Sequence, residues 1–223
     1  MLTLIPTPID EIHELEQTAL NLLKKVQDDP NAIICVEEAK IARRRWIRWG
    51  LKREKIDEFV LYNEHTRDEL VSELIAKMQS GKNIYLMSDC GLPAFCDPGQ
   101  RLVSAAHSAQ IKVSATPFYN STILALALSG IKHDKFVFEG FLPTDKTQRA
   151  KEMKRIANNK ITTIIMDTPY RLNSLIDDFK NLCPNRDAFI AMDLNKAEES
   201  LIAGKLSKIK LEKQKREFIL VLG

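Results

Sequence analysis

Short apolar runs alternate with helical patterns through the first half of the chain, and this alternation constrains the fold more than any other feature. The apolar runs lie at residues 2–5, 33–36, 59–61, 84–87 and 111–113, and helical spacing appears at residues 12–26, 39–49, 67–79 and 101–109. Strands that alternate with helices form βαβ units, which pair their strands in parallel. The sequence therefore predicts a largely parallel sheet that is covered by helices on both faces.

A second α/β segment follows a short interruption. Residues 116–120 read Thr-Pro-Phe-Tyr-Asn and predict a linker. Beyond it, strands are predicted at residues 136–138, 161–166, 188–192 and 218–222, and helices at residues 122–128, 147–158 and 171–182. The length of 223 residues suits one large domain or two small ones. We predict an α/β protein with two α/β lobes, residues 1–115 and 116–223, and a cleft between them.

The loop at residues 88–99 carries the first functional signal. It reads Ser-Asp-Cys-Gly-Leu-Pro-Ala-Phe-Cys-Asp-Pro-Gly and follows a predicted strand. Loops at the carboxyl ends of strands are where ligands usually bind in open α/β sheets. Asp97 fits a helix N-cap, with Pro98 at the first helical position and Gln100 at capping-box spacing, so we assign it a structural role. Asp89 has no such role, and we expect it to reach a ligand.

Composition and missing motifs exclude several classes of protein. A chain that is 44% hydrophobic and 28% charged is typical of a globular protein with a core, and no apolar run approaches the roughly 20 residues that span a bilayer. The N-terminus begins with a predicted strand, which is not the pattern of a signal peptide. The four cysteines lack a C-x-x-C pair, so we predict no metal site, no disulfides and a cytoplasmic location. Dinucleotide, P-loop, zinc-protease and serine-hydrolase motifs are missing.

Three motifs together resemble a known enzyme family. They are Pro-Thr-Pro-Ile at residues 6–9, the loop at residues 88–99, and Phe-Val-Phe-Glu-Gly-Phe-Leu-Pro at residues 136–143. With them the chain resembles the tetrapyrrole-methylase-like, S-adenosylmethionine-dependent methyltransferases, and within these the branch that 2′-O-methylates a cytidine of small-subunit ribosomal RNA. The likeness runs nearly end to end. It implies S-adenosylmethionine bound in the cleft between two α/β lobes of a homodimer, in a fold unlike the Rossmann-type methyltransferases.

The resemblance also implies which residues bind the cofactor. Asp89 would take the amino group or a ribose hydroxyl and would favour the positive sulfonium nearby. The start of the helix at Thr122 would offer backbone N–H groups to the methionine carboxylate. Carried over position by position, the cofactor contacts are Pro8, Ser88, Asp89, Gly91, Leu92, Pro93, Asn120, Ser121, Met166 and Asp167.

Methyl transfer to a ribose hydroxyl also needs an acceptor for the hydroxyl proton. The candidates on loops at the strand ends are Glu37, Glu38, Lys40, Glu64 and His65, and we predict Glu37, Lys40 and His65 as the catalytic residues without ranking them. Histidine is a common general base, but a lone histidine after a strand is also common as a structural residue. Lys40 would act as a base only if it were buried, and otherwise it would hold phosphate.

Two basic segments are predicted to contact RNA. Helical spacing places Lys40, Arg44 and Arg48 on one face of a helix, and Trp46 and Trp49 on another face that points inward. The second segment carries five cations: Lys146, Arg149, Lys151, Lys154 and Arg155. Of these, Lys146, Arg149 and Lys154 are the predicted contacts. Both segments also fit solvated helix faces, and the net charge of +3 is weak support for an anionic partner.

Departures from the family pattern leave two other functions open. The usual linker reads P-G-P-S, whereas residues 117–121 read Pro-Phe-Tyr-Asn-Ser, which places aromatic side chains where the backbone should approach a ligand. One alternative is a methylase of a tetrapyrrole or another small molecule. The other is a degenerate paralogue that binds RNA without transferring methyl groups. Cofactor affinity separates the paralogue from both enzymes, and an assay with small ribosomal subunits separates the enzymes from each other.

Overall fold

The computed structural model describes residues 1–10, 12–95, 97–118 and 120–223. Two of the residues discussed above, Cys96 and Tyr119, lie outside the described residues. The chain divides into two compact units, Met1–Asn120 and Ser121–Gly223. This division falls five residues after the predicted boundary between residues 115 and 116. In the part of the chain that is described, no helix is long and apolar enough to cross a membrane.

The first unit is a parallel α/β sheet, as the alternation of apolar runs predicts. Its strands lie in the order β3-β2-β4-β1-β5, and every neighbouring pair is parallel. A 3₁₀ turn at Arg53–Glu58 precedes β3. The elements are β1 Leu2–Ile5, α1 Gln17–Val26, β2 Ala32–Val36, α2 Ala39–Arg48, β3 Val60–Leu61, α3 Arg67–Gln79, β4 Asn83–Met87, α4 Gly99–Ser108 and β5 Val113–Ala115.

Helices cover both faces of this sheet and bury a separate core on each. One core joins α1 and α2 to the sheet around Trp46, which is fully buried. The other joins α3 and α4 to the opposite face around Leu74 and Leu102. The Trp46 indole donates to the Lys52 carbonyl oxygen at 2.8 Å, so its polar edge is satisfied. The prediction that Trp46 and Trp49 point inward is confirmed.

Helix α1 begins later than predicted, at Gln17 instead of residue 12. The Asp10 carboxylate accepts hydrogen bonds from the backbone N–H groups of Ile12 and His13, at 2.6 and 2.8 Å, and this holds a separate turn. The Glu16 carboxylate then accepts from the Ala19 N–H at 3.0 Å and caps the helix. Side chains that bond nearby backbone groups in this way compete with helix formation, which is why the helical spacing alone overextends the helix.

The second unit holds a mixed sheet in the order β6-β7-β10-β8-β9. Strands β6 and β7 are parallel, and the other neighbouring pairs are antiparallel. Helices α6 and α7 pack on one face of this sheet, and α5 contacts β8 and β10. The elements are α5 Ser121–Ser129, β6 Phe136–Phe141, α6 Lys146–Asn158, β7 Thr162–Asp167, α7 Leu172–Leu182, β8 Asp187–Met192, β9 Ser200–Lys205 and β10 Phe218–Leu222.

Strand β9 is absent from the sequence prediction. Its residues alternate between exposed and half-buried positions and include Gly204, and glycine weakens a strand pattern. Strand β6 also extends three residues beyond its predicted end, with an irregular register between Phe138 and Gly140. Gly140 has a φ of +64°, a conformation that glycine adopts without strain, so the strand continues past the irregularity.

Candidate functional site

The loops that follow β1 and β4 are joined into one structure at the carboxyl edge of the first sheet. Thr7 and Gly91 exchange two backbone hydrogen bonds, at 2.9 and 3.1 Å. The Thr7 hydroxyl donates to the Ser88 carbonyl oxygen at 3.1 Å, and the Ser88 hydroxyl donates to the Gly91 carbonyl oxygen at 2.8 Å. These bonds gather the predicted cofactor residues Pro8, Ser88 and Gly91, with Leu92 and Pro93 following directly in the chain.

The loop after β2 is joined to the same edge by two reciprocal bonds. The Glu38 backbone N–H donates to the Asp89 carboxylate at 3.2 Å, and the Asp89 backbone N–H donates to the Glu37 carboxylate at 3.3 Å. The loop after β3 is tied in by the Asn63 side-chain amide, which donates to the Glu37 carbonyl oxygen at 3.3 Å. Glu37 and Asp89 are therefore brought together although they are 52 residues apart.

This edge is acidic and partly dehydrated. Burial raises the pKa of Glu37, and the nearby charges of Asp89, Asp97 and Glu64 raise it further. Burial also raises the pKa of Asp89, against hydrogen bonding from Glu38 and the attraction of Arg45. The pKa of Asp97 is raised by burial first and by Glu64 as well. Because like charges destabilise one another here, a cationic group at this edge would stabilise the ionised carboxylates.

The turn after β4 depends on Gly91 and Asp97. Gly91 has a φ of +77°, in the left-handed region that favours glycine. The Asp97 carboxylate accepts hydrogen bonds from the backbone N–H groups of Ala94 and Gly99, at 2.6 and 2.8 Å. Since Gly99 begins α4, Asp97 satisfies a donor of the first helical turn. The bond to the helix start agrees with the predicted structural role of Asp97, but Pro98 and not Asp97 is the N-cap, one residue later than predicted.

Arg45 was not singled out from the sequence, yet it holds the loop after β1. Its buried guanidinium donates to the carbonyl oxygens of Pro8 and Asp10, at 2.9 and 3.3 Å. A signal for this role exists in the sequence. Arg45 lies three residues after Ala42 and four before Trp49, which places it on the inward face of α2. Arg45 is thus a positioning residue for the predicted cofactor contact at Pro8.

The three predicted catalytic residues lie in different surroundings. Glu37 is half-buried at the acidic edge, whereas Lys40 is exposed in the first turn of α2. His65 is exposed, and its backbone N–H donates to the Asn63 side-chain oxygen at 3.0 Å. The Asn63 bond to Glu37 places the His65 loop beside the Glu37 loop.

The remaining predicted cofactor residues end the first unit or belong to the second. Asn120 is the last residue of the first unit, and Ser121 begins α5. Met166 and Asp167 end β7. The Asp167 carboxylate is fully buried and accepts from Arg149 Nη1 at 2.8 Å, from Arg171 Nη1 at 3.3 Å and from the Thr168 N–H at 2.8 Å. Its side chain is thus engaged within the unit.

The three predicted RNA contacts of the first basic segment differ in the contacts that their side chains make within the unit. Lys40 and Arg44 are exposed on α2. Arg48 donates from Nη2 to the Ile12 carbonyl oxygen and pairs with Glu14 at 3.5 Å. Part of the charge of this predicted RNA face is therefore engaged within the unit.

In the second basic segment, the three predicted RNA contacts line one groove, and the other two cations do not. Lys146, Arg149 and Lys154 line a groove between α6 and α7. Lys151 is exposed and does not line it. Arg155 is paired with Glu139 at 2.5 Å and with Glu152 at 2.7 Å.

Comparison with known proteins shows the family. The model of the tetrapyrrole (corrin/porphyrin) methylases matches residues 2–210. The chain is 29% identical to a ribosomal RNA small subunit methyltransferase I of Xylella fastidiosa, over 99% of this chain and 80% of that protein. It is 33% identical to the protein of the same name from Synechocystis, over 92% of this chain and 71% of that protein.

A solved structure shows the same fold. It is the uroporphyrin-III C-methyltransferase of Thermus thermophilus complexed with S-adenyl homocysteine, with a TM-score of 0.56 at 14% sequence identity, covering 100% of this chain and 96% of that one. The two α/β units and the predicted fold class agree with this likeness. Since the family model spans nearly the whole chain, the protein belongs to the tetrapyrrole (corrin/porphyrin) methylases and is an S-adenosylmethionine-dependent methyltransferase.

Proposed function

We propose that this enzyme methylates the ribose 2′-hydroxyl of a nucleotide in small-subunit ribosomal RNA. The observation that carries the proposal is the similarity to proteins named ribosomal RNA small subunit methyltransferase I, which extends over 99% and 92% of the chain in the two relatives described. The ribose specificity is supported by the motifs at residues 6–9, 88–99 and 136–143, which resemble the 2′-O-methylating branch. An enzyme of this kind acts where ribosomal subunits are found, so we place it in the cytoplasm.

The cofactor supplies a methyl group on a positively charged sulfur. We infer that Pro8, Ser88, Asp89, Gly91, Leu92 and Pro93 bind it at the carboxyl edge of the first sheet, and that Asn120, Ser121, Met166 and Asp167 complete its site. The acidic edge fits such a cofactor, because Glu37 and Asp89 lie together there, and burial first and neighbouring carboxylates second raise the pKa of each. The ammonium and sulfonium of S-adenosylmethionine would provide positive charge beside them.

Glu37 is the best supported acceptor for the hydroxyl proton. Among the three predicted catalytic residues, Glu37 alone is half-buried beside Asp89, and burial raises its pKa above the ordinary carboxyl value, which makes it a stronger base. Lys40 and His65 are exposed, so we expect them to contact substrate. Replacing Glu37 by glutamine keeps an acceptor for the Asp89 N–H and should lower kcat by about 10²–10⁴-fold, whereas Lys40→Ala and His65→Ala should act mainly on KM.

The substrate and the assembly follow from the same proposal. RNA phosphates would contact Lys40, Arg44, Arg48, Lys146, Arg149 and Lys154, and the enzyme would act as a homodimer, as the family resemblance implies. Binding through phosphates weakens steeply with salt. The KM for small subunits should therefore rise with ionic strength, while the affinity for the cofactor should change little.

Calorimetric titration with S-adenosylmethionine and S-adenosylhomocysteine tests the site. We expect micromolar binding to the wild type, and weaker binding to Asp89→Ala and Ser121→Trp with cooperative unfolding retained. Asp57→Ala, which removes an exposed carboxylate of the first unit, is the control and should bind normally. Unchanged affinity in both site variants would mean that the cofactor is placed wrongly. Absence of binding to folded, ligand-free protein would favour the non-catalytic paralogue.

The acceptor is tested with methyl-labelled cofactor. Label in the RNA of small ribosomal subunits supports the proposal. Label transferred to a tetrapyrrole and not to RNA would support the small-molecule methylase instead.

A further inference from the structure

A groove between α6 and α7 has the size of a ligand site. Its volume is about 590 Å³, within the range of roughly 300–1,000 Å³ that small-molecule sites occupy. Ala150, Met153 and Leu182 give it apolar surface, while Ser174 and Asn181 provide hydrogen-bonding groups. The groove lies wholly within the second unit, so its lining is defined by that unit alone.

The charge of the groove is positive. Four cations line it, Lys146, Arg149, Lys154 and Arg171, against the carboxylate of Asp178, and the Asp167 carboxylate that pairs with Arg149 and Arg171 offsets part of their charge. Three of these cations, Lys146, Arg149 and Lys154, belong to α6 and line the groove from that helix. At about 1.5 Å per residue, Lys146 and Lys154 are separated by about 12 Å along the axis. This length accommodates more than one phosphate of a nucleic-acid strand.

Two of these cations are held in place before any ligand arrives. The buried Asp167 carboxylate accepts from Arg149 Nη1 and Arg171 Nη1. A fixed guanidinium loses less side-chain entropy on binding an oxyanion, and its planar donors match phosphate geometry. Arg149 Nη2 is buried and has no hydrogen-bond acceptor among the residues that the structure describes. An arginine that is fixed, largely buried and incompletely bonded has donor capacity for a ligand.

We propose that this groove binds the sugar–phosphate backbone of a short single-stranded RNA segment, with phosphates at Lys146, Arg149, Lys154 and Arg171, and with a sugar or base against the exposed Ala150 and Leu182. This proposal rests on the proposed function, since it assigns a position to part of the RNA substrate. Single-stranded nucleic acid is bound in general by positive grooves that also contact bases or sugars through apolar surface. The apolar lining favours such a segment over a free phosphate ion.

The test compares two lysines of the same helix. Binding of a fluorescent 12-nucleotide single-stranded RNA to the full chain is measured by polarisation at several salt concentrations, for the wild type, Lys154→Glu and Lys151→Glu. Lys154 lines the groove, whereas Lys151 is exposed outside it. We expect Lys154→Glu to weaken binding on the order of tenfold and to reduce the salt slope by about 0.7, the contribution of one phosphate contact on a single strand. Lys151→Glu should remain within about twofold of the wild type.

A third variant separates occupancy of the groove from long-range attraction. Ser174→Trp keeps the charge and fills the groove from α7, where Ser174 is exposed. It should weaken RNA binding and raise the KM for small subunits, with the affinity for S-adenosylmethionine unchanged. Equal effects of the two lysine variants, or normal RNA binding by Ser174→Trp, would overturn the proposal. Methylation of ribosomal RNA by the wild type then separates the two proposals. If the wild type methylates ribosomal RNA but the variants give one of these two results, only the groove assignment has failed. If the wild type methylates no ribosomal RNA, the proposed function has failed.

Discussion

Replacement of Asp167 by asparagine tests whether its carboxylate supports the second unit. The change preserves shape and one acceptor oxygen, but it removes the negative charge between Arg149 and Arg171. The Asp167 side chain is 0% exposed and that of Arg149 is 12% exposed, so water cannot easily replace the lost partner. Removing one member of a buried ion pair costs about 3–5 kcal/mol. Since asparagine still accepts one bond and Arg171 is 28% exposed, we expect a loss near the lower end, about 3 kcal/mol.

Thermal unfolding at neutral pH measures this loss. For a unit of about 100 residues, about 3 kcal/mol corresponds to a fall in Tm of roughly 12–24 °C. Far-UV circular dichroism follows the whole chain. Tryptophan fluorescence follows the first unit, because Trp46 and Trp49 are the two tryptophans of the sequence. The dichroism midpoint should therefore fall at least as far as the fluorescence midpoint.

The control for Asp167→Asn is Asp187→Asn in the same sheet. Asp187 pairs with Lys205 at 2.8 Å, but both side chains are about half exposed, and exposed pairs contribute only about 0–1 kcal/mol. Asp167→Asn should also keep its affinity for S-adenosylmethionine within about threefold at a temperature where it is folded, because the carboxylate is engaged within the unit. A Tm equal to that of the control, or a large loss of affinity in a stable protein, would refute this reasoning.

Three further predictions concern the first unit. Arg45→Met removes the donors to two loop carbonyls and should cost about 2 kcal/mol by denaturant unfolding and weaken cofactor binding by calorimetry; normal affinity would contradict its positioning role. Gly91→Ala forces a side chain into a φ of +77° and should cost about 1–2 kcal/mol; Gly81→Ala, at a φ of +97°, should lose similar stability but no cofactor affinity. Burial raises the pKa of Glu37 in the folded protein. The stabilising contribution of its protonated carboxyl to the free energy of unfolding is therefore fully present below the ordinary carboxyl pKa, and it is lost as pH rises through the raised pKa. Glu37→Gln should therefore be more stable than the wild type at pH 7, and a difference in Tm that persists at pH 3 would contradict this.

The elements of the fold are largely readable from the sequence because each rests on local spacing. In the first unit the predicted strands agree with β1 to β4 within one residue, and the parallel pairing follows from the alternation with helices. The errors have local physical causes. Asp10 and Glu16 bond nearby backbone N–H groups and delay α1, and the half-exposed residues of β9 resemble a loop.

The candidate site was less predictable because its bonds join residues far apart in the chain. The sequence indicated that Asp89 lies at a strand end, but its reciprocal bonding with Glu37 and Glu38 depends on the packing of neighbouring strands. The same holds for Asp167. Its pairing with Arg171 is an i, i+4 relation, whereas its pairing with Arg149 spans 18 residues. Arg45, in contrast, could have been identified from its inward position on α2.

Methyl transfer to small ribosomal subunits, followed by alkaline hydrolysis of the labelled RNA, tests the central claim most directly. A methyl group on the ribose 2′-oxygen blocks alkaline cleavage of the adjacent phosphodiester, because the neighbouring hydroxyl is the attacking group. We expect label from S-adenosylmethionine to remain in alkali-resistant dinucleotides, and Glu37→Gln to lose this product. Label released in mononucleotides would place the methyl group on a base, and unlabelled RNA alongside normal cofactor binding would place it on another substrate. Either result would contradict the proposed function.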